Sequence, residues 1–155
     1  MIASMLRIQL VPKLVLTAVL LVALSYAASS SQKKVINPRN WPSTMPFSSA
    51  IQFGDTLYIS GGTGTDPKTG KVPDNFEDEV RVCLNGLHGV LKSAGMDYDD
   101  VVSVQIYLTD MNLFQRMNAV YMQVFQNPRP TRTAVGVTRL AAAGAHMEMT
   151  VTARK

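Results

Sequence analysis

The chain has 155 residues, 15 lysines and arginines against 11 aspartates and glutamates, and a formal charge of +4. That length suits one core and not two, and the absence of any basic run longer than a pair such as Lys33-Lys34 argues against a nucleic-acid footprint. Cys83 stands alone, which excludes an internal disulfide; set in a helical pattern, it reads as a small buried apolar residue.

The first stretch decides the compartment. Arg7 and Lys13 are the only charged residues before Lys33, and Leu14 to Leu24 is apolar except for Thr17. A basic flank, a short apolar core and then the small residues Ser25 and Ala27 describe a secretory signal peptide cut after Ala27. The alternative is an uncleaved anchor, but the run is shorter than the roughly 20 residues a spanning helix needs. Expected boundaries are a signal peptide over 1–27, an N-terminal linker over 28–46 and the folded domain over 47–155. The protein is expected to be exported, periplasmic or secreted, with no membrane association after cleavage. Losing Arg7 and Lys13 and no acid lowers the formal charge from +4 to +2.

Ser48 to Phe53 alternates weakly, Gly54-Asp55 turns the chain and Thr56 to Ser60 is strand-like, which predicts a hairpin. Gly61-Gly62-Thr63-Gly64 reads as a flexible bend, and Asp66-Pro67-Lys68-Thr69-Gly70 as a turn. Phe76, Val80, Leu84, Leu87 and Leu91 recur at helical spacing and predict the first helix. Asp74 and Glu77 fit a capping box at its start, and Gly95 ends it. Val101 to Leu108 is a β-branched strand. Leu113 to Phe125 is a second helix with Met117, Val120, Tyr121 and Val124 on one side, stopped by Asn127-Pro128. Arg132 to Val137 and His146 to Ala153 alternate as two last strands. The order β-β-α-β-α-β-β is an α+β domain with both helices on one sheet face. The other face is either solvated or meets another subunit, and a symmetric oligomer is the favoured solution.

Arg132 and Glu148 are the leading chemical candidates, each read on the face of its strand opposite the apolar stripe. A guanidinium binds a carboxylate through two parallel hydrogen bonds, and a nearby carboxylate can take a proton from water. Ala134 and Gly136 beside Arg132 are small and leave space for a ligand. Spacing alone does not bring the pair together, and an ion pair on a solvated sheet face is the alternative. Ser60, before Gly61-Gly62, presents a hydroxyl or backbone N–H to a pocket, or simply ends a strand. Asn118 faces away from the apolar stripe of its helix, as a solvated residue does. His88 and His146 have no second histidine at ligand spacing, so no metal site is expected. No nucleophile elbow, phosphate loop or dinucleotide fingerprint is present.

Several separated pieces carry a resemblance: Leu57-Tyr58-Ile59-Ser60-Gly61, Asp66-Pro67-Lys68-Thr69-Gly70, Asn118-Ala119-Val120-Tyr121, Pro130-Thr131-Arg132-Thr133, Leu140 with Gly144, and Met147-Glu148-Met149. In this order they resemble the reactive intermediate deaminase family, also called Rid or YjgF, from about Phe47 to the C-terminus. The resemblance implies a chorismate-mutase-like α+β fold, a mixed sheet with two helices on one face, assembled as a homotrimer with clefts between subunits. It implies hydrolysis of 2-imino acids, the tautomers of enamines, to 2-keto acids and ammonia, with no cofactor. Carried over residue by residue, it makes Arg132 the grip on the substrate carboxylate and Glu148 the group that positions or activates water. Ser60, Gly61 and Asn118 line the same pocket. Phe47 stands where many members have tyrosine, Ala134 replaces a frequent cysteine and Gly62 a common glutamine, so the pocket is expected to be roomier and less polar. Expected partners are a small carboxylate and further copies of the chain, with no groove or aromatic platform for RNA. The alternative is a non-catalytic exported protein that binds small carboxylates, or an interaction protein, on the same trimeric scaffold.

Expressed with its native N-terminus in a secreting host, the protein should be recovered outside the cytoplasm beginning at Ala28 by N-terminal sequencing. Recovery of a chain that still carries Met1 would overturn the cleavage assignment.

Overall fold

Alternation in the strand runs and helical spacing between them set the order of elements. The computed structural model describes residues 32–38 and 41–155; the proposed signal peptide lies outside the described residues. The elements are β1 (Lys34–Ile36), β2 (Ala50–Phe53), β3 (Thr56–Thr63), α1 (Phe76–Ser93), β4 (Val101–Leu108), α2 (Phe114–Val124), β5 (Thr131–Gly136) and β6 (Met147–Arg154). They form one mixed sheet in the order β1-β2-β3-β6-β4-β5. Every neighbouring pair is antiparallel except β4 and β5. A parallel pair needs a crossover, and α2 supplies it.

Both helices lie against one face. The inward residues Val104, Ile106 and Leu108 of β4 and Met147, Met149 and Val151 of β6 are buried with Val80, Leu84, Leu87 and Leu91 of α1 and Met117, Val120 and Tyr121 of α2. Burying each large aliphatic side chain contributes roughly 1.5–3 kcal/mol, so this layer is the principal source of stability. The thiol of Cys83 belongs to it: Sγ donates to the Gly62 carbonyl at 3.1 Å, and burial pushes its pKa up to about 12. The opposite face keeps Phe53, Tyr58 and Val135 exposed.

Before β4 the structure departs from the sequence expectations at three places. Within the stretch read as a linker, Lys34–Ile36 pairs with β2 as an edge strand, because Ile36 finds a buried seat opposite Ala50. The cap of α1 is Asn75, whose side chain accepts from the Asp78 amide at 3.0 Å. The expected Asp74–Glu77 capping box does not form, since Glu77 instead pairs with Arg116 of α2 through two 2.7 Å hydrogen bonds. That guanidinium lowers the Glu77 pKa to about 2. Gly61-Gly62 is not a bend: β3 runs through it to Thr63, with a bulge between Ile59 and Gly62 that places Ser60 and Gly61 together opposite β6. The far end of α1 follows expectation. Gly95 adopts a φ of 71°, its amide bonds to the Lys92 carbonyl and the Met96 amide to the Leu91 carbonyl, the double closure of a Schellman motif.

Where the chain leaves β3 it crosses the backbone of α1 at Glu79, so closely that a Cβ on Gly64 would run into the Glu79 carbonyl. The neighbour there is backbone and cannot swing aside. Gly64→Ala should therefore cost about 1–3 kcal/mol, the usual range for overpacking, read as a lower urea midpoint with unchanged slope; an unchanged midpoint would refute the close approach.

Candidate functional site

Arg132 lies on β5, which pairs in parallel with β4 so that Arg132 sits opposite Val104 and Ala134 opposite Ile106. Residues opposite each other across a ladder share a face, so Arg132 points to the helix side. This corrects the expectation that it lies on the open face with Glu148. The apolar-looking set Thr133 and Val135 takes the open face instead, and Val135 is exposed there. The reason is α2: Phe114, Asn118 and Tyr121 recur at i, i+4 and i+7 and present one stripe to the arginine. The guanidinium lies 4.7 Å from the Tyr121 ring centroid and 5.5 Å from that of Phe114, and Nη1 donates to Asn118 Oδ1 at 2.8 Å. Cation–π stacking and one side-chain acceptor hold the fork in place and leave further N–H donors at the mouth of a 370 Å³ pocket that Asn118, Tyr121, Arg129 and Pro130 also line. Asn118 is thus an orienting partner and not a solvated bystander.

Glu148 follows Met147 on β6 and faces the other way, opposite Tyr107 of β4 and Thr63 of β3. Its carboxylate occupies the space above Gly61, where any Cβ would collide with it. Ser60, in the same bulge, donates from Oγ to the Ser48 carbonyl at 2.8 Å, while its amide donates to the Ser49 carbonyl at 2.9 Å. Ser60 therefore joins the Phe47–Ser49 segment to β3. Phe47 is exposed, packs edge-on against Trp41 and lines a 290 Å³ depression with Tyr58 and Ser60.

The seven expected site residues thus fall into two groups. Arg132, Asn118 and Ala134 lie at the α2 edge of the sheet on its helix side; Glu148, Ser60, Gly61 and Phe47 lie on or beside the open face. Within one protomer the sheet separates them.

Two contributors escaped the sequence reading. Tyr121 was legible only as core, although its spacing from Phe114 and Asn118 marks the stripe under Arg132. Glu79 is a fully buried acid: Oε1 accepts from the amides of His146 and Met147 at 2.7 and 3.2 Å, and Oε2 meets the His146 ring at 2.8 Å. An acid three residues after Phe76 and four before Cys83, inside the apolar stripe, was the available signal. Among the described residues, no three His, Cys, Asp or Glu side chains are grouped as metal ligands would be.

A six-stranded mixed sheet with two helices on one face, an arginine held by Asn118 at the sheet edge and a glutamate on an inner strand define an α+β protein of the chorismate-mutase-like class. A Rid-family protein of Yersinia pestis superposes with a TM-score of 0.74 at 34% identity, covering 80% of this chain and 100% of that one. Escherichia coli TdcF, solved with bound serine, superposes at 0.73 with 29% identity, covering 79% and 99%. The mouse 2-iminobutanoate/2-iminopropanoate deaminase is 40% identical over 114 residues, 72% of this chain and 84% of that protein. A RutC family protein of Pyrococcus horikoshii is 42% identical over 110 residues, 70% and 87% of the two chains. The family model described as Endoribonuclease L-PSP matches residues 39–155. The chain belongs to that family, the Rid/YjgF proteins.

The Tyr121 hydroxyl is buried with no hydrogen-bond partner among the described residues, and desolvation raises its pKa. An unmet buried hydroxyl costs about 1–3 kcal/mol. Tyr121→Phe keeps the ring beneath Arg132 and should raise unfolding stability by about 1 kcal/mol in urea titration; a clear loss of stability would show that the hydroxyl has a partner.

Proposed function

We propose that this protein hydrolyses small 2-imino acids to 2-keto acids and ammonia, in clefts formed between copies of the chain in a homotrimer. The observation that carries the reading is the Arg132 fork, oriented by Asn118 and two aromatic rings with donors left over at a pocket mouth. That is a grip for a carboxylate. About 40% identity to a named deaminase over most of both chains supports the chemistry, and the serine held by TdcF is itself a small carboxylate.

Arg132 and Glu148 face opposite sides of one sheet, so no side-chain rotation brings them to the same small molecule. A neighbouring copy can: its open face, with Glu148 over Gly61, brought against the Arg132 edge, completes one site. The exposed Phe53, Tyr58 and Val135 of that face give such an association an apolar surface to bury.

In the completed site Arg132 binds the substrate carboxylate and fixes C2 of the imine. Glu148 accepts a proton from water as its oxygen attacks C2, giving a carbinolamine. That proton passes to the imine nitrogen; the carbinolamine hydroxyl then gives its own proton, through Glu148, to the amine, the C–N bond breaks, and ammonia leaves as the C2 carbonyl forms. Every atom comes from the imine and one water. The residues present supply each step, with the fork pre-organised before substrate arrives.

Export places this chemistry outside the cytoplasm in our reading, resting on the Arg7–Ala27 pattern alone. The purified protein should sediment as a trimer and accelerate ammonia release from 2-iminopropanoate, and Arg132→Ala should lower kcat/KM by at least about 100-fold, the scale of a lost charged contact in the transition state. An unchanged rate in Arg132→Ala would refute its role. Absence of turnover with keto acids still raising Tm would favour the binding-protein alternative.

A further inference from the structure

We infer that Arg129 is a second anion-binding residue of the pocket at Arg132, and that the protein prefers 2-imino acids carrying a second carboxylate, such as 2-iminosuccinate and 2-iminoglutarate, over 2-iminopropanoate. The inference rests on the deaminase reading above and adds the substrate class.

The two arginines belong to one short run, Arg129-Pro130-Thr131-Arg132, where the chain passes from the end of α2 into β5. Proline disfavours helical backbone in the residue before it, which keeps Arg129 out of the helix. Three residues span at most about 11 Å, and both side chains line the same 370 Å³ pocket. Each is held from behind. Arg129 Nε donates to the Phe125 carbonyl at the end of α2 at 3.1 Å, and Nη1 donates to Asn127 Oδ1 at 2.9 Å, just as Arg132 Nη1 donates to Asn118 Oδ1. A helix C-terminus carries partial negative charge and suits a guanidinium. Nη2 of Arg129 has no hydrogen-bond partner among the described residues.

Neither arginine has an acid to pair with. Arg81, Arg116 and Arg154 each meet a carboxylate; among the described residues Arg129 and Arg132 do not, and no acid lines their pocket. Their charges also bear on one point. Burial raises the pKa of the Tyr121 hydroxyl, and Arg132 and Arg129 both oppose that rise. Like charges bordering one pocket repel each other, and a bound anion relieves the repulsion. A 2-imino acid with a single carboxylate engages Arg132 and leaves Arg129 to water. One or two methylene groups beyond C2 bring a second carboxylate to the neighbouring guanidinium, where it accepts the hydrogen bonds that Arg129 has left over. C2 and its nitrogen are the same in both kinds of substrate, so hydrolysis follows the steps given above and yields a 2-oxo dicarboxylate and ammonia.

The test measures kcat/KM of the full chain for 2-iminosuccinate and 2-iminopropanoate, formed in situ from aspartate and alanine by amino-acid oxidases. A hydrogen bond to a charged group contributes about 10–150-fold, so 2-iminosuccinate should exceed 2-iminopropanoate by at least about tenfold. Arg129→Gln, at an exposed position, should bring that ratio close to one. Titration calorimetry reads the same preference without turnover: 2-oxoglutarate should bind at least about tenfold more tightly than 2-oxobutanoate, and Arg129→Gln should abolish the difference. Equal values for the two imines overturn this inference and leave the deaminase reading standing. So does a ratio unmoved by Arg129→Gln, the result expected if Arg129 pairs with an acid of a neighbouring copy. No turnover of either imine, with 2-oxoglutarate still bound more tightly through Arg129, overturns the deaminase reading and keeps Arg129 as the second anion-binding residue. No turnover and equal affinities overturn both.

Discussion

The Glu79 carboxyl is shut away from water, and so polar a group is tolerable there only where hydrogen-bond partners replace the lost hydration. Those partners are the first amides of β6 and the His146 ring. The same residue's backbone is the surface over which the chain passes at Gly64 as it leaves β3. A single helical residue therefore fixes α1, the exit of β3 and the entry of β6 relative to one another. Glu148 comes two residues after the clamped His146, and Gly61 comes three before Gly64. The seat of Glu148, the proposed water-activating residue, is thus set from the far side of the sheet by Glu79.

The register of β5 imposes a second constraint. A parallel partner of β4 must share its alternation, so placing Ala134 against the core opposite Ile106 obliges Arg132 to turn toward α2. In the proposed mechanism the protomer then holds the substrate-binding guanidinium and the proton-accepting carboxylate where it cannot use them together. Oligomerisation, in this reading, is not an accessory to stability; it is how the reacting groups meet. The open face with its exposed aromatic and aliphatic residues and the arginine edge are two halves of one requirement.

Much of this was legible in the chain. The α+β order, the two helices on one face, the Gly95 stop and the burial of Cys83 follow from spacing, because each is a local pattern with one energetic solution. The candidate residues could be named from the sequence, and their arrangement could not. Alternation in Arg132–Val137 shows two faces without saying which is buried, and Val135 misleads because it is apolar yet outward. Gly61-Gly62 looks like a hinge until β6 is present to pair with it and Glu148 to occupy the missing Cβ. Asn75 displaced the Asp74–Glu77 box because Arg116, 39 residues further on, claims Glu77. Each miss depends on a partner distant in sequence, which periodicity cannot report.

Cys83 has a consequence for the life of the molecule beyond its packing. Thiol–disulfide exchange proceeds through the thiolate, and a pKa near 12 leaves that form about four to five orders of magnitude below the thiol at neutral pH. The sulfur is also enclosed, with its proton committed to the Gly62 carbonyl. In an oxidising compartment an exposed odd cysteine would join copies of the chain at random or capture a foreign thiol. Under the export proposed above, the folded chain would stay free of covalent cross-links in such a compartment, because the fold encloses the Cys83 thiol.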